Sequence, residues 1–133
     1  MVFVTLFVVS LNYGYPDPAA LALRAAARTG NMAALSSIVQ SVGRNGVDLE
    51  PALGEASSYG RVKAMQFLIS RGAHDYSNAL VKASLRNQIG AVRYLLDSDA
   101  HIREADLRLA RLAAGGADST EVEFLLVTRI MHP

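Results

Sequence analysis

Two histidines recur in matching sequence contexts and are the residues that most suggest a chemical role. His74 ends the stretch FLISRGAH, and His101 ends the similar stretch YLLDSDAH further along the chain. Asp75 and Asp99 lie close to them in sequence, and imidazole and carboxylate groups are common zinc ligands. However, no closely spaced pair such as His-x-x-x-His occurs, so we expect neither a metal site nor a cofactor. We interpret the histidines as a repeated turn position that a partner could contact.

Other signatures of catalysis are missing from the sequence. Cysteine is absent, which excludes disulfides, thiolate catalysis and cysteine-based zinc sites. There is no Gly-x-Ser-x-Gly motif, and residues 43–46 (GRNG) form a short turn rather than a phosphate-binding loop. The net charge is +1 with acidic and basic residues interspersed, so general binding to nucleic acid is not expected. We therefore expect no catalysis, although sequence spacing does not test for carboxylates brought together from different repeats.

The two histidine stretches belong to a longer internal repeat. Residues 51–74 align with residues 78–101 without a gap. The same pattern of leucine, alanine and glycine occurs earlier in the chain, over residues 22–39, and a looser fourth copy begins at Leu107. Several copies of one short unit are typical of proteins in which successive units stack and bury a shared core.

Each copy of the repeat predicts two short helices. Apolar and small residues recur at spacings of three and four in the first helix, as in Ala79, Leu80 and Ala83. Gly30, Gly60 and Asn87 then occupy equivalent positions, and we expect each to end its helix in the left-handed conformation. The second helix carries a heavier apolar stripe, which one pair of helices alone could not bury. The sequence therefore predicts an all-α stack of helix pairs.

The pattern resembles that of ankyrin repeats over about residues 18–129. Its clearest copies are ALGEASSYGRVKAMQFLISRGA, ALVKASLRNQIGAVRYLLDSDA and LALRAAARTGNMAALSSIV, at residues 52–73, 79–100 and 21–39. The resemblance implies an α-solenoid domain, residues 18–133, of about four helix-turn-helix repeats at 18–48, 49–75, 76–102 and 103–133. The period is shorter than the one usual for ankyrin repeats, and the Thr-Pro-Leu-His start is absent. We therefore expect short loops in place of β-hairpin fingers.

The N-terminal segment, residues 1–17, differs from the rest of the chain. Residues 2–11 are apolar except for Thr5 and Ser10, and no basic side chain precedes Arg24. This run is too short to cross a bilayer as a helix, and it lacks the basic start of a secretory signal. We predict an atypical arm that packs on neighbouring helices or on a partner, in an intracellular protein. The alternatives are a signal, a membrane anchor or self-association through residues 1–15.

In ankyrin proteins the exposed side of the first helices lines the concave surface, and the resemblance places a partner site there. The residues it implies are Arg28, Glu55, Tyr59, Lys82, Leu85 and Arg86, with His74, Tyr76, His101 and Arg103 in the turns. We expect Tyr59 beside Arg86 to be an anchor pair, because tyrosine and arginine are favoured at binding hot spots. Leu85, Leu109 and Leu112 are either core residues or an apolar contact patch.

The predicted function is therefore non-catalytic recognition of a protein partner, whose identity the sequence does not specify. The alternative is a small enzyme or ligand-binding protein that uses a groove near His74, His101 and Tyr76. The two hypotheses predict different surfaces, because a ligand-binding protein requires a deep and partly apolar pocket at these residues.

Overall fold

The computed structural model describes residues 17–43, 46–98, 101–116 and 119–133. The regular secondary structure of these residues is entirely α-helical, with no β-strand. The helices are α1 Pro18–Thr29, α2 Met32–Val42, α3 Glu50–Ser58, α4 Val62–Ser70, α5 Tyr76–Leu85, α6 Ile89–Asp97, α7 Glu104–Gly116 and α8 Thr120–Met131. The predicted all-α class is confirmed. Of the predicted N-terminal arm, all but Asp17 lies outside the described residues. Within the described part of the chain, no helix has the length and apolarity needed to cross a membrane.

One pair of helices falls in each of the four segments predicted as repeats. The two helices of a pair are joined by a tight turn, such as Gly30–Asn31 between α1 and α2. Between α4 and α5, the connection between pairs is the short loop 71–75, which contains no strand. Asp17 starts the first helix, because its Oδ1 accepts the backbone N–H of Ala19 at 3.0 Å and Pro18 follows in the first turn.

The turns that end α1, α3 and α5 share one geometry. Gly30, Gly60 and Asn87 have φ angles of 73°, 67° and 56°, so the left-handed conformation predicted at these positions is confirmed. In each turn the next residue donates its N–H to the carbonyl of an alanine in the last turn of the helix, at 2.8–2.9 Å. Such a bond satisfies a carbonyl that the end of a helix leaves without a partner. The repeat therefore specifies where α1, α3 and α5, the first helices of the first three pairs, stop.

Each left-handed residue also contacts the N-cap residue of the second helix of the next pair. A Cβ atom at Gly30 would lie 3.2 Å from Cδ of Arg61, and one at Gly60 would lie 2.3 Å from Oε1 of Gln88. At the third such position Asn87 accepts a hydrogen bond from the hydroxyl of Ser119. This contact, which we call the seam, occurs at all three junctions and joins consecutive pairs along the chain.

The helix pairs are arranged in two rows. Helices α1, α3, α5 and α7 lie side by side and pack closely, whereas α2, α4, α6 and α8 form a second row that packs more loosely. Small side chains allow the close approach, since Ala26, Ala56, Ala83 and Ala110 are all buried in the first row. We call the solvent-facing side of this first row the inner side of the stack, and the first row the inner row.

Large aliphatic side chains from both rows form one continuous core. The fully buried members include Leu23, Leu53 and Leu80 from the first row and Leu35, Met65, Leu68, Leu95 and Leu126 from the second. One side of each of α1, α3 and α5 faces the second row and fills this core. Side chains on the other side of these helices face solvent, on the inner side of the stack. Any partner that binds the inner side meets those residues.

Candidate functional site

Six side chains form a regular grid on the inner side of the first three helix pairs. Each of the three helices contributes two residues four positions apart, and this spacing puts both on the same side of a helix. The grid, called here the six-residue face, consists of Arg24 and Arg28 of α1, Glu55 and Tyr59 of α3 and its C-terminal cap, and Lys82 and Arg86 of α5 and its C-terminal cap. Cations therefore flank a central helix that carries one carboxylate and one tyrosine.

The tyrosine of this face lies between two guanidinium groups. Cζ of Arg28 is 5.4 Å from the centroid of the Tyr59 ring, and Cζ of Arg86 is 4.9 Å from it. Both separations are within the range of cation–π attraction. The register of the repeat predicted Tyr59 beside Arg86, and the structure places them together. Arg28 joins them from the opposite side, so that three consecutive helix pairs meet at one ring.

The carboxylate of the face is bound by two arginines. Oε1 of Glu55 accepts a hydrogen bond from Nη2 of Arg24 at 2.8 Å, and Oε2 accepts one from Nε of Arg28 at 3.2 Å. The glutamate side chain is only 12% exposed. Sequence reasoning included Glu55 and Arg28 but missed Arg24, which the four-residue spacing to Arg28 could have indicated. The ion pairs fix the position of Arg28 over Tyr59.

Opposing effects set the ionisation of Glu55. Burial raises the pKa of its carboxyl group, but hydrogen bonds and charge from Arg24 and Arg28 lower the pKa by more than burial raises it. The pKa is therefore below its ordinary value of 4.5. The same hydrogen bond and charge raise the pKa of the Arg28 guanidinium. Glu55 is therefore an anion at neutral pH, and its charge is shared between two cations.

Lys82 and Arg86 differ from the arginines of α1 in their charge balance. Neither forms an ion pair with a carboxylate in the part of the chain that the structure describes. Lys82 extends back over α3, where its Nζ would lie 3.0 Å from a Cβ placed on Gly54. The six-residue face thus carries four cations and one anion, and its excess positive charge is on the α5 side.

Three leucines continue the inner side beyond the grid. Leu85 of α5 is 56% exposed, and Leu109 and Leu112 of α7 are 53% and 77% exposed. Leu109 occupies the repeat position of Glu55 and Lys82, and Leu112 occupies that of Leu85. The interpretation of these leucines as core residues is therefore wrong. They are exposed apolar side chains, called here the leucine patch.

His74 occupies the loop between α4 and α5, and a glutamate holds that loop in place. The carboxylate of Glu50 accepts the backbone N–H groups of His74 and Asp75, at 2.9 and 3.0 Å. The imidazole of His74 is 83% exposed, with Nδ1 3.0 Å from Glu50 Oε1. Asp75 in turn caps α5 by accepting the N–H of Asn78 at 3.1 Å. These contacts explain the conformation of the loop without a ligand.

Among the described residues, no side-chain hydrogen bond or ion pair joins Tyr76, His101 or Arg103 to His74. Tyr76 is half-buried and packs against the core, and His101 is exposed in the segment before α7. Arg103 donates from Nε to Oδ2 of the buried Asp106 at 2.8 Å. That oxygen also accepts the hydroxyl of Ser77 at 2.9 Å. The hydrogen bond from Arg103 and, to a smaller extent, that from Ser77 lower the pKa of Asp106. Because Ser77 belongs to α5 and Asp106 to α7, this cluster connects the two helices.

Two grooves among the described residues are lined by residues other than His74, Tyr76 and His101, although Gly72, which lines the second, has its carbonyl 3.1 Å from Nδ1 of His74. One of about 620 Å³ is lined by Arg108, Arg111, Leu112, Gly115, Glu123 and Ile130. Another, of about 420 Å³, is lined by Val39, Gln40, Gly43, Leu49, Ser70, Arg71 and Gly72. Among the described residues, no group of three or more histidine, aspartate or glutamate side chains is placed to hold a metal ion. No observation thus favours the predicted alternative of a small enzyme.

Comparison with known proteins returned no match, either among protein-family models or among curated proteins. The exposed side chains of the inner side are therefore the guide to function. The features that need a functional explanation are the six-residue face and the leucine patch, because both lie on the inner side and neither contributes to the core.

Proposed function

We propose that this chain is a non-catalytic protein-interaction module whose partner binds the six-residue face. The observation that carries the proposal is the ring of Tyr59 held between Arg28 and Arg86. Tyrosine and arginine are the residue types, with tryptophan, that contribute most to binding energy at protein interfaces. Here they meet on a side of the stack that core packing leaves uncovered.

The ion pairs of Glu55 support the same proposal. Two hydrogen bonds restrict Arg24 and Arg28 before any partner arrives. Ordering a long side chain on binding costs roughly 0.5–1.5 kcal/mol, so a side chain that is already ordered binds at a lower entropic cost. A face made of restrained arginines and a stacked tyrosine is suited to recognition.

We also propose that the stack is a shortened ankyrin-type solenoid, as the resemblance in sequence implies. The paired short helices, the closely packed inner row and the left-handed residue at the end of each first helix support this assignment. In that architecture the inner row lines the binding surface, which agrees with the position of the six-residue face. We propose an intracellular location, which the absence of cysteine in the sequence supports.

The experiment compares four immobilised proteins: the wild type, Tyr59→Ala, Arg86→Ala and Phe124→Ala. Proteins captured from a lysate of the source cells are quantified by mass spectrometry. We expect a partner that the wild type captures and that both inner-side variants lose by about tenfold or more, since hot-spot truncations cost about 2 kcal/mol or more.

Phe124→Ala is the matched control, because Phe124 is an exposed aromatic residue of α8, in the second row. It should capture the partner as the wild type does. Circular dichroism must show unchanged helicity in all three variants. Equal capture of the same proteins by all four samples would contradict the proposal.

A further inference from the structure

The inner side of the stack changes character along its length. The six-residue face of α1, α3 and α5 carries four cations and one anion, whereas Leu85 of α5 and Leu109 and Leu112 of α7 are exposed and apolar. We infer that the partner segment is an acidic peptide with an aliphatic residue at one end, whose carboxylates meet the six-residue face and whose apolar side chain covers the leucine patch. This inference rests on the proposed function, because it concerns the same face.

The charges indicate carboxylates as the groups that bind. Glu55 is committed to Arg24 and Arg28, whereas Lys82 and Arg86 have no carboxylate partner among the described residues. Arginine binds carboxylates with two parallel hydrogen bonds, and such charge-assisted bonds are roughly twice as strong as neutral ones. Arg86 can stack on Tyr59 with its flat surface and still offer its edge to a carboxylate. A peptide carboxylate would therefore neutralise the positive charge of Lys82 or Arg86.

The leucine patch adds a second requirement. At the repeat position where α3 carries Glu55 and α5 carries Lys82, α7 carries Leu109, which is 53% exposed. Leu85 and Leu112 are exposed at the neighbouring position on α5 and α7. Contact with an aliphatic side chain would remove these leucines from water, which favours binding in proportion to the apolar surface that is buried. The acidic residues and the apolar residue of the peptide must therefore follow one another along the stack.

The length of such a segment follows from the geometry of the stack. Four neighbouring helices at roughly 10 Å spacing span about 30 Å, which an extended peptide of about nine residues covers. A nucleic acid fits the surface less well, because its phosphates would meet Glu55 near the centre of the cations and would leave the leucine patch uncovered. The net charge of the whole chain, +1, is also low for a protein that binds a polyanion.

The test begins with selection from a library of random peptides, each long enough to span the four helices, displayed on phage against the full-length protein. We expect enriched peptides to place Asp and Glu next to Leu, Ile or Phe. One enriched peptide, labelled with fluorescein, is then measured by fluorescence anisotropy. Arg86→Glu should weaken its binding by about tenfold or more, and raising NaCl from about 50 to about 500 mM should also weaken it.

Lys63→Glu is the matched control, since it reverses an exposed cation of α4, outside the inner row, with the same change in net charge. Its affinity should stay within about twofold of the wild type. Leu112→Ser should also weaken binding, because it removes part of the leucine patch.

The possible results separate the inference from the proposed function. Enriched peptides that are neutral or basic, yet lose binding in Tyr59→Ala, would overturn the acidic partner and leave the interaction face in place. Peptides that bind Tyr59→Ala and Arg86→Glu like the wild type would overturn both. A library with no enriched peptide would overturn the peptide segment, and capture from the lysate would still decide the interaction face. A single-stranded DNA of about twenty nucleotides that binds as tightly as the peptide, and is lost in Arg86→Glu, would overturn the peptide assignment.

Discussion

Glu55 is the residue on which the arrangement of the inner side most depends. It is the anion of the six-residue face, and it connects α3 to both arginines of α1. Its carboxylate is mostly buried, so removal of its charge would leave two guanidinium groups without their partner. The consequences should appear in stability before they appear in binding, because the ion pairs join two helix pairs.

We predict that Glu55→Gln lowers the free energy of unfolding by about 1 kcal/mol at pH 7, because charge-assisted hydrogen bonds to partly exposed arginines are lost. The pKa of Glu55 is lower in the folded state than its ordinary value of 4.5. Its stabilising effect is therefore complete above pH 4.5 and is lost as the pH falls through the folded-state pKa. Urea unfolding of both proteins from neutral to acidic pH should show the difference shrinking on the acid side.

Glu121→Gln is the control for this series. Glu121 pairs with Arg93 at 2.7 Å, but both side chains are more than half exposed. Solvent and salt screen such a pair, so its substitution should change stability by less than about 0.5 kcal/mol at any pH in the series. A difference between Glu55→Gln and the wild type that does not depend on pH would contradict the assigned ion pairs.

At the scale of the helices, the turns determine both where a helix stops and how the next pair attaches. Gly60 combines the two requirements, since its φ angle is 67° and its Cα faces the side chain of Gln88. A Cβ atom there would be strained by the backbone conformation and would also collide with Oε1 of Gln88. Gly90 is a contrasting glycine, because it lies in α6, is exposed and has open space around it.

We predict that Gly60→Ala destabilises the protein by about 1–2 kcal/mol, because alanine is unfavourable in the left-handed conformation. Gly90→Ala should instead be neutral or stabilising by up to about 0.5 kcal/mol, because alanine favours helix. Urea unfolding measures both. Adding Gln88→Ala to Gly60→Ala should recover only the part of the loss that arises from the collision. Equal stability of the Gly60→Ala and Gly90→Ala proteins would refute this view of the turn.

At the scale of the whole molecule, stability is distributed by position in the stack. Helices α3 and α5 each pack between two neighbours of the inner row and against their own partner helix, whereas α8 packs only against α7 and α6 among the main contacts of the described helices. In a stack whose units contact only their neighbours, units at an end open with a lower free energy than units inside.

We predict that amide hydrogens in the middle of α3 and α5 exchange at least about tenfold more slowly than those in the middle of α8, because opening the end pair breaks only one interface between pairs. Hydrogen exchange followed by mass spectrometry of peptides measures this. Uniform protection across all helices would show that the stack opens only as a single cooperative unit.

The sequence predicted those features that depend on local pattern. The end of each first helix could be placed at Gly30, Gly60 and Asn87, because a residue that tolerates positive φ is a local requirement of the turn. The all-α class followed from apolar spacing, and the neighbours Tyr59 and Arg86 followed from the repeat register. These inferences needed only the period of the chain and the preferences of single residues.

Contacts that depend on side-chain direction between pairs could not be predicted. Nothing in the local sequence indicates that Glu50 accepts two N–H groups of the loop at His74, since the two segments are far apart along the chain. The involvement of Arg24 with Glu55 and the burial of Asp106 were missed for the same reason. The exposure of Leu109 was left open because apolar character alone does not distinguish a core position from a contact surface.

The seam allows a protein of this kind to change in length by whole repeat units. Because each left-handed residue contacts the N-cap residue of the following pair's second helix, the contact repeats with the period of the chain. Excision of residues 61–87 would join Gly60 to Gln88 and bring Gln88 to Gly30, in the place that Arg61 now occupies. Shortening by one such unit would preserve the backbone geometry at the seam. It would also remove Lys82, Leu85 and Arg86 from the inner side. Duplication or loss of a whole unit would therefore change the binding residues of the inner side in one step, while the seam contacts stay the same.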